Sequence, residues 1–99
     1  MNITQLLAWC AKQEASDLHL SAGLPPLLRL NGQLVASELP AMTSNEVLAA
    51  VTSLMNEQQK QTFEQELEVD FAFQAPSQDR FRINAFNHLR GAGAVLRRI

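Results

Sequence analysis

The sequence predicts an α+β domain with about three helices covering one face of a six-stranded, mainly antiparallel sheet. Two stretches near the start and in the middle space their apolar residues at i, i+3, i+4 and i+7, the period of an amphipathic helix. Six short stretches read as strands: three alternate apolar and polar residues with period two, and two others flank Asn31-Gly32, a dipeptide suited to a tight hairpin. Helices at the start and middle of a run of strands are the pattern of an α+β layer fold, and 99 residues suffice for one such domain but not two.

The elements follow in order. Ile3, Leu6, Leu7 and Cys10 form the stripe of a first helix, with Asn2 and Gln5 as its capping pair. Asp17-Leu18-His19-Leu20-Ser21 alternates as a strand, and Ala22-Gly23-Leu24-Pro25-Pro26 breaks it into a loop. Leu27 to Leu30 and Gln33 to Ser37 are the arms of the hairpin, with Leu28, Leu30 and Val35 sharing a face. Thr43-Ser44-Asn45-Glu46 matches a capping box in front of a stripe of Val47, Leu48, Val51, Leu54 and Met55. Asn56 caps a third, more polar helix through Gln59, Lys60 and Phe63, expected to end near Leu67 and to lie on the surface.

Val69, Phe71 and Phe73 then alternate with Asp70, Ala72 and Gln74, and Ala75-Pro76-Ser77-Gln78-Asp79 supplies a turn. Phe81, Ile83 and Ala85 alternate with Arg80, Arg82 and Asn84, so packing and chemistry are separated by parity, the apolar set facing the core and the arginines facing out. Arg90-Gly91-Ala92-Gly93 reads as a turn, and Ala94 to Ile99 as a last strand that is still running where the sequence stops, as in a piece of a longer chain.

Composition narrows the function. The chain is 46% hydrophobic with a net charge of −2, which excludes a disordered segment. It has no apolar run long enough to span a membrane, so a soluble, intracellular protein is expected. Cys10 is the single cysteine and sits on an apolar stripe, and His19 and His88 have no paired ligand spacing, so neither a metal site nor a cysteine nucleophile is expected. Glu64, Glu66, Glu68 and Asp70 read as a solvated polar face without chemistry. Gly91-Ala92-Gly93 lacks the third glycine of a dinucleotide fingerprint. The phosphate loop Gly-x-x-x-x-Gly-Lys-Ser/Thr is absent, so these 99 residues alone are not expected to hydrolyse ATP.

The charge is divided. Met1 to Asp79 holds three basic residues against all ten acidic ones, a net of −7, whereas Arg80 to Ile99 holds five arginines and no acid, a net of +5. The last fifth of the chain is built to meet something negative. A guanidinium stays charged at all relevant pH and offers a planar fork of donors to phosphate oxygens. Arg82 and Arg97 lie on the last two strands, and pairing of those strands through the Arg90–Gly93 turn could bring the two side chains near one another at the sheet surface. Spacing alone favours an exposed, solvated arginine face with some pairing to the acidic remainder. Nucleic acid is not expected as the partner, since there is no tyrosine and no stacking run.

The run from Ala15-Ser16-Asp17-Leu18-His19-Leu20-Ser21 through Pro25-Pro26 to Leu30-Asn31-Gly32 closely resembles the opening of the PilT family of twitching-motility ATPases. Arg80-Phe81-Arg82-Ile83-Asn84-Ala85-Phe86-Asn87 and Arg90-Gly91-Ala92-Gly93-Ala94-Val95 also look like that family. The PilU-type paralogues share Leu96-Arg97-Arg98-Ile99, but Ser21-Ala22-Gly23 together with Gly91-Ala92-Gly93 favours the PilT type.

The resemblance implies that residues 1–99 are a PAS-like N-terminal domain, followed in the full protein by a RecA-like ATPase domain, with six subunits in a ring. It implies ATP and Mg bound between the two domains of the full protein, with none held by these residues alone, and Arg82 and Arg97 reaching the phosphates. Arg80, Arg90 and Arg98 are secondary candidates for the phosphates or the subunit interface. It implies neighbouring subunits and pilus base proteins as partners, a place at the cytoplasmic face of the inner membrane, and pilus retraction as the task. A free-standing PAS-like module that senses a small ligand or binds a protein is the alternative reading, and it would call for a roomy apolar pocket in the core.

Overall fold

A computed structural model describes residues 2–99. Each of its three helices begins at a reciprocal capping box, which satisfies two otherwise orphaned backbone donors. In α1 (Ile3–Lys12) the Asn2 side chain accepts from the Gln5 amide at 2.9 Å while Gln5 Oε1 accepts from the Asn2 amide at 2.8 Å. Thr43 and Glu46 do the same for α2 (Ser44–Thr52), and Asn56 and Gln59 for α3 (Glu57–Glu66). Hydrogen bonds from Thr43 hold the Glu46 carboxyl below the usual carboxylate range.

The expected stripe of α1 is the buried one: Ile3, Leu6, Leu7 and Cys10. Burial pushes the Cys10 thiol up to about 11, so it stays protonated, as an inert core side chain would. The α2 stripe differs from expectation in its end. The helix stops at Thr52, so Leu54 and Met55 are buried from the following turn instead of from the helix. The Thr52 and Ser53 hydroxyls donate to the carbonyls of Leu48 at 2.7 Å and Ala50 at 2.6 Å, competing with continuation of the backbone ladder. In α3 only Phe63 is buried, and Leu67 terminates the helix at φ 60°, the left-handed conformation common past a helix end.

Six strands form one sheet: β1 (Asp17–Ser21), β2 (Leu27–Leu30), β3 (Gln33–Ala36), β4 (Glu68–Gln74), β5 (Arg80–His88) and β6 (Gly91–Arg98). Their order is β3-β2-β1-β6-β5-β4, and every pairing is antiparallel. Two three-stranded meanders, one from each end of the chain, are thus zipped together by β1 against β6, with α2 and α3 in the connection. Asn31 (φ 50°) and Gly32 (φ 82°) take the two positive angles expected of the hairpin turn.

The last hairpin turns earlier than the sequence suggests. Leu89-Arg90 is the turn, and Gly91 to Gly93 already belong to β6, paired with His88 to Phe86. Gly93 serves packing. A Cβ there would lie 2.4 Å from the Phe86 ring, which occupies the place a side chain would take.

Register sorts the residues into faces. Leu28, Leu18, Leu96, Ile83 and Phe71 are consecutive partners across five strands, and with Leu20, Ala94, Ala85 and Val69 they pack into one core with the helix stripes. Val35 shares this face as expected, but on the edge strand it remains 45% exposed. The opposite face carries no helix stripe, and the polar residues gather there.

Candidate functional site

One row crosses all six strands on that open face: Ala72, Arg82, Arg97, Asp17, Arg29 and Leu34, each paired in register with the next. Arg82 and Arg97 are therefore direct cross-strand partners: parity put them on one face, and the register set by the Leu89-Arg90 turn put them opposite each other. Like charges side by side repel, so each needs a counter-ion. Arg82 Nε donates to Asp70 Oδ1 at 3.0 Å, and Arg97 Nε donates to Asp17 Oδ1 at 3.2 Å. Only the Nε edge of either guanidinium is engaged. Among the described residues no acceptor meets the terminal nitrogens of Arg82 or Arg97, and the two side chains are 71% and 69% exposed. Between them opens a shallow groove of about 280 Å³, walled also by Asp70, Asn84 and Val95.

Asp17 is the residue that sequence reasoning missed. It is 3% exposed, and both carboxylate oxygens are used: Oδ1 by Arg97, Oδ2 by Arg29 Nε at 3.2 Å, with His19 Nε2 at 3.5 Å from the same oxygen. Burial works to raise its pKa, but hydrogen bonds from Arg97, His19 and Arg29 and the charge of Arg97 outweigh it, and the carboxyl is held below its ordinary value. Arg29 is tied a second time, its Nη1 donating to the Gly32 carbonyl at 2.9 Å. Strand parity placed Asp17 opposite the buried Leu18 and Leu20, and that was the available signal. Its burial depended on β1 lying between β2 and β6.

The secondary candidates separate. Arg80, two residues before Arg82, shares the open face and is exposed. Arg98 alternates to the core side, where its Nη1 donates to the Ala15 carbonyl at 3.0 Å and closes the corner between α1 and β1. Arg90 sits in the β5–β6 turn, roughly 25 Å along the strand from Arg82. Arg80, Arg82 and Arg97 thus form one surface to which Arg90 and Arg98 do not contribute. The acidic series expected to be merely solvated is partly used: Asp70 holds Arg82, and Glu68 accepts from Asn84 at 3.3 Å.

No protein-family model matches the chain. Among curated proteins it is 54% identical, over all 99 residues, to the type IV pilus retraction ATPase PilT of Pseudomonas aeruginosa. It is 42% identical over 98 residues to a twitching motility protein of Neisseria gonorrhoeae, and 34% identical over 99 residues to the type IV pilus ATPase PilU of Pseudomonas aeruginosa. The chain spans 29%, 26% and 26% of the lengths of these relatives.

Among solved structures, the pilus retraction motor PilT with bound ADP superposes with a TM-score of 0.87 at 31% identity, over 98% of this chain and 29% of that one. The ATPase DotB of Legionella pneumophila superposes at 0.82 over all of this chain and 29% of its own, and at 19% identity that shows the fold alone. The whole chain therefore matches the N-terminal region of PilT-type ATPases in both sequence and fold.

Proposed function

We propose that this chain, a homologue of the N-terminal region of PilT-type retraction ATPases, is the N-terminal domain of a hexameric motor that powers type IV pilus retraction and twitching motility. Its own part in the motor is to present Arg82 and Arg97 to the phosphates of a nucleotide held mainly by a following RecA-like domain. The observation that carries this reading is the arginine pair itself: two guanidinium groups in register on an open sheet face, each held by Nε, with their terminal nitrogens free of any acceptor among the described residues.

The arrangement suits phosphate. Free terminal nitrogens form a fork that donates to two phosphate oxygens at once, and the side chains are already held in place before the ligand arrives. Two arginines donating to a phosphate stabilise the negative charge that spreads over its oxygens during transfer, an effect that grows when a second domain closes over the sheet and excludes water. Mg, when bound with ATP, would neutralise part of that charge from the ATPase-domain side. Arg80 extends the positive surface.

Work would arise from the same geometry. Since the arginines engage a phosphate that the ATPase domain also holds, hydrolysis and release alter the contact between the two domains and thus their angle. Around a six-subunit ring these changes are coupled through neighbouring subunits to pilus base proteins at the cytoplasmic face of the inner membrane. Among the described residues no helix is long and apolar enough to cross that membrane.

The test is to substitute Arg82→Ala and Arg97→Ala separately in the longer ATPase that carries this domain and to measure ATP turnover. Each is expected to lower kcat by about 10-fold or more while far-UV circular dichroism stays unchanged. Wild-type turnover in both variants would sink the assignment.

A further inference from the structure

We propose that Asp17 is a positioning residue for the phosphate-facing arginines: its buried carboxylate holds Arg97 by Nε alone and leaves both terminal nitrogens to an anionic ligand. This rests on the functional reading above and assigns the group on which that reading depends.

Asp17 is the only buried charged side chain among the described residues. A carboxylate withdrawn from water is tolerated only where its oxygens are satisfied, and here the satisfaction is directional. One oxygen faces Arg97 and the other faces Arg29. Arg29 is fixed at its far end to the Gly32 carbonyl of the hairpin turn, so turn, Arg29 and Asp17 form a brace anchored in the backbone. Arg97 hangs from the free end of that brace. Its guanidinium is set in place while 69% of the side chain remains open to solvent, a combination that an unaided surface arginine does not hold.

Arg82 has a weaker version, since its partner Asp70 is itself 47% exposed. The row holds three guanidinium groups against the carboxylates of Asp17 and Asp70, which leaves one positive charge uncompensated for a ligand.

The experiment is steady-state ATP turnover of the longer ATPase carrying Asp17→Asn, Arg97→Ala, both together, Arg97→Lys and Thr43→Ala. Asn keeps the shape of Asp but loses the charge and turns an amide donor toward one of the arginines. Asp17→Asn is expected to lower kcat by about 10-fold while KM for ATP moves less than about 3-fold, as for a group that acts by orientation. Because it works through Arg97, adding it to Arg97→Ala should cost less than about 2-fold more. Arg97→Lys keeps a charge but has neither the Nε that Asp17 holds nor the phosphate fork; it is expected to lose at least as much as Asp17→Asn, and full turnover in it would overturn the brace even if Asp17→Asn does not fold.

Thr43→Ala removes a helix cap outside the arginine row, so turnover per folded molecule should stay within about 3-fold even as the melting temperature falls, which separates positioning from general stability. Full turnover in Asp17→Asn or Arg97→Lys overturns the inference, as does an undiminished second loss in the double variant. If Arg97→Ala is itself fully active, the site reading fails with it; if Arg97→Ala is impaired and Asp17→Asn is not, only the role of Asp17 is lost.

Discussion

Asp17 also predicts how the domain responds to acid. The perturbation is Asp17→Asn, read as stability against pH. In the fold the carboxylate accepts from two arginines and is 3% exposed, and its pKa lies below the ordinary aspartate value of 3.8. A group whose folded pKa is depressed contributes stability that is fully present above its unfolded value and is lost as pH falls through the folded one.

The wild type should therefore hold the Asp17 contribution unchanged from neutrality down to about pH 4.5 and lose it progressively below about pH 4. A charge-assisted hydrogen bond contributes ~1.5–3 kcal/mol. Two are present, but Arg97 and Arg29 are 69% and 34% exposed, so solvent screening reduces the sum to about 2 kcal/mol. Asp17→Asn should then lower the melting temperature at pH 7 by roughly 10 °C in a domain of this size. Urea denaturation followed by circular dichroism, repeated from pH 7 to pH 3, measures both quantities. The variant should be less stable at neutrality and should lose less on acidification, so that the two curves converge. Parallel curves with the same acid limb would refute the reasoning, since they would mean that Asp17 titrates as a solvated carboxylate.

Two further outcomes follow from the fold. Gly93→Ala places a Cβ 2.4 Å from the Phe86 ring and 3.2 Å from the Leu20 carbonyl, and should cost about 1–3 kcal/mol in urea denaturation. Adding Phe86→Ala removes the closest clash, so the double variant should be less destabilised than the sum of the singles; strict additivity would count against this packing. Thr43→Ala removes the side-chain half of the α2 capping box and should cost about 1 kcal/mol, with no change expected in the pH dependence assigned to Asp17.

What the sequence alone determined is local. Capping boxes are short-range because a side chain three residues away reaches the orphan amide, so all three helix starts were legible. The Asn31-Gly32 turn was legible because few residues accept two consecutive positive φ angles. Parity along a strand told core from surface, and it put Arg82 and Arg97 on a common face once their strands were taken as partners. The glycines near the last turn were misleading, because a glycine needed for close packing looks in sequence like one needed for a bend, and the Phe86 ring that decides the matter lies across the hairpin.

Tertiary structure alone decided that β1 pairs with β6, bringing Asp17 beside Arg97 across 80 residues of chain. Local periodicity says which face a residue takes but carries no information about which strand lies next to it. Strand order is set by how the whole core closes, and it turned an ordinary surface aspartate into a buried anchor between two arginines.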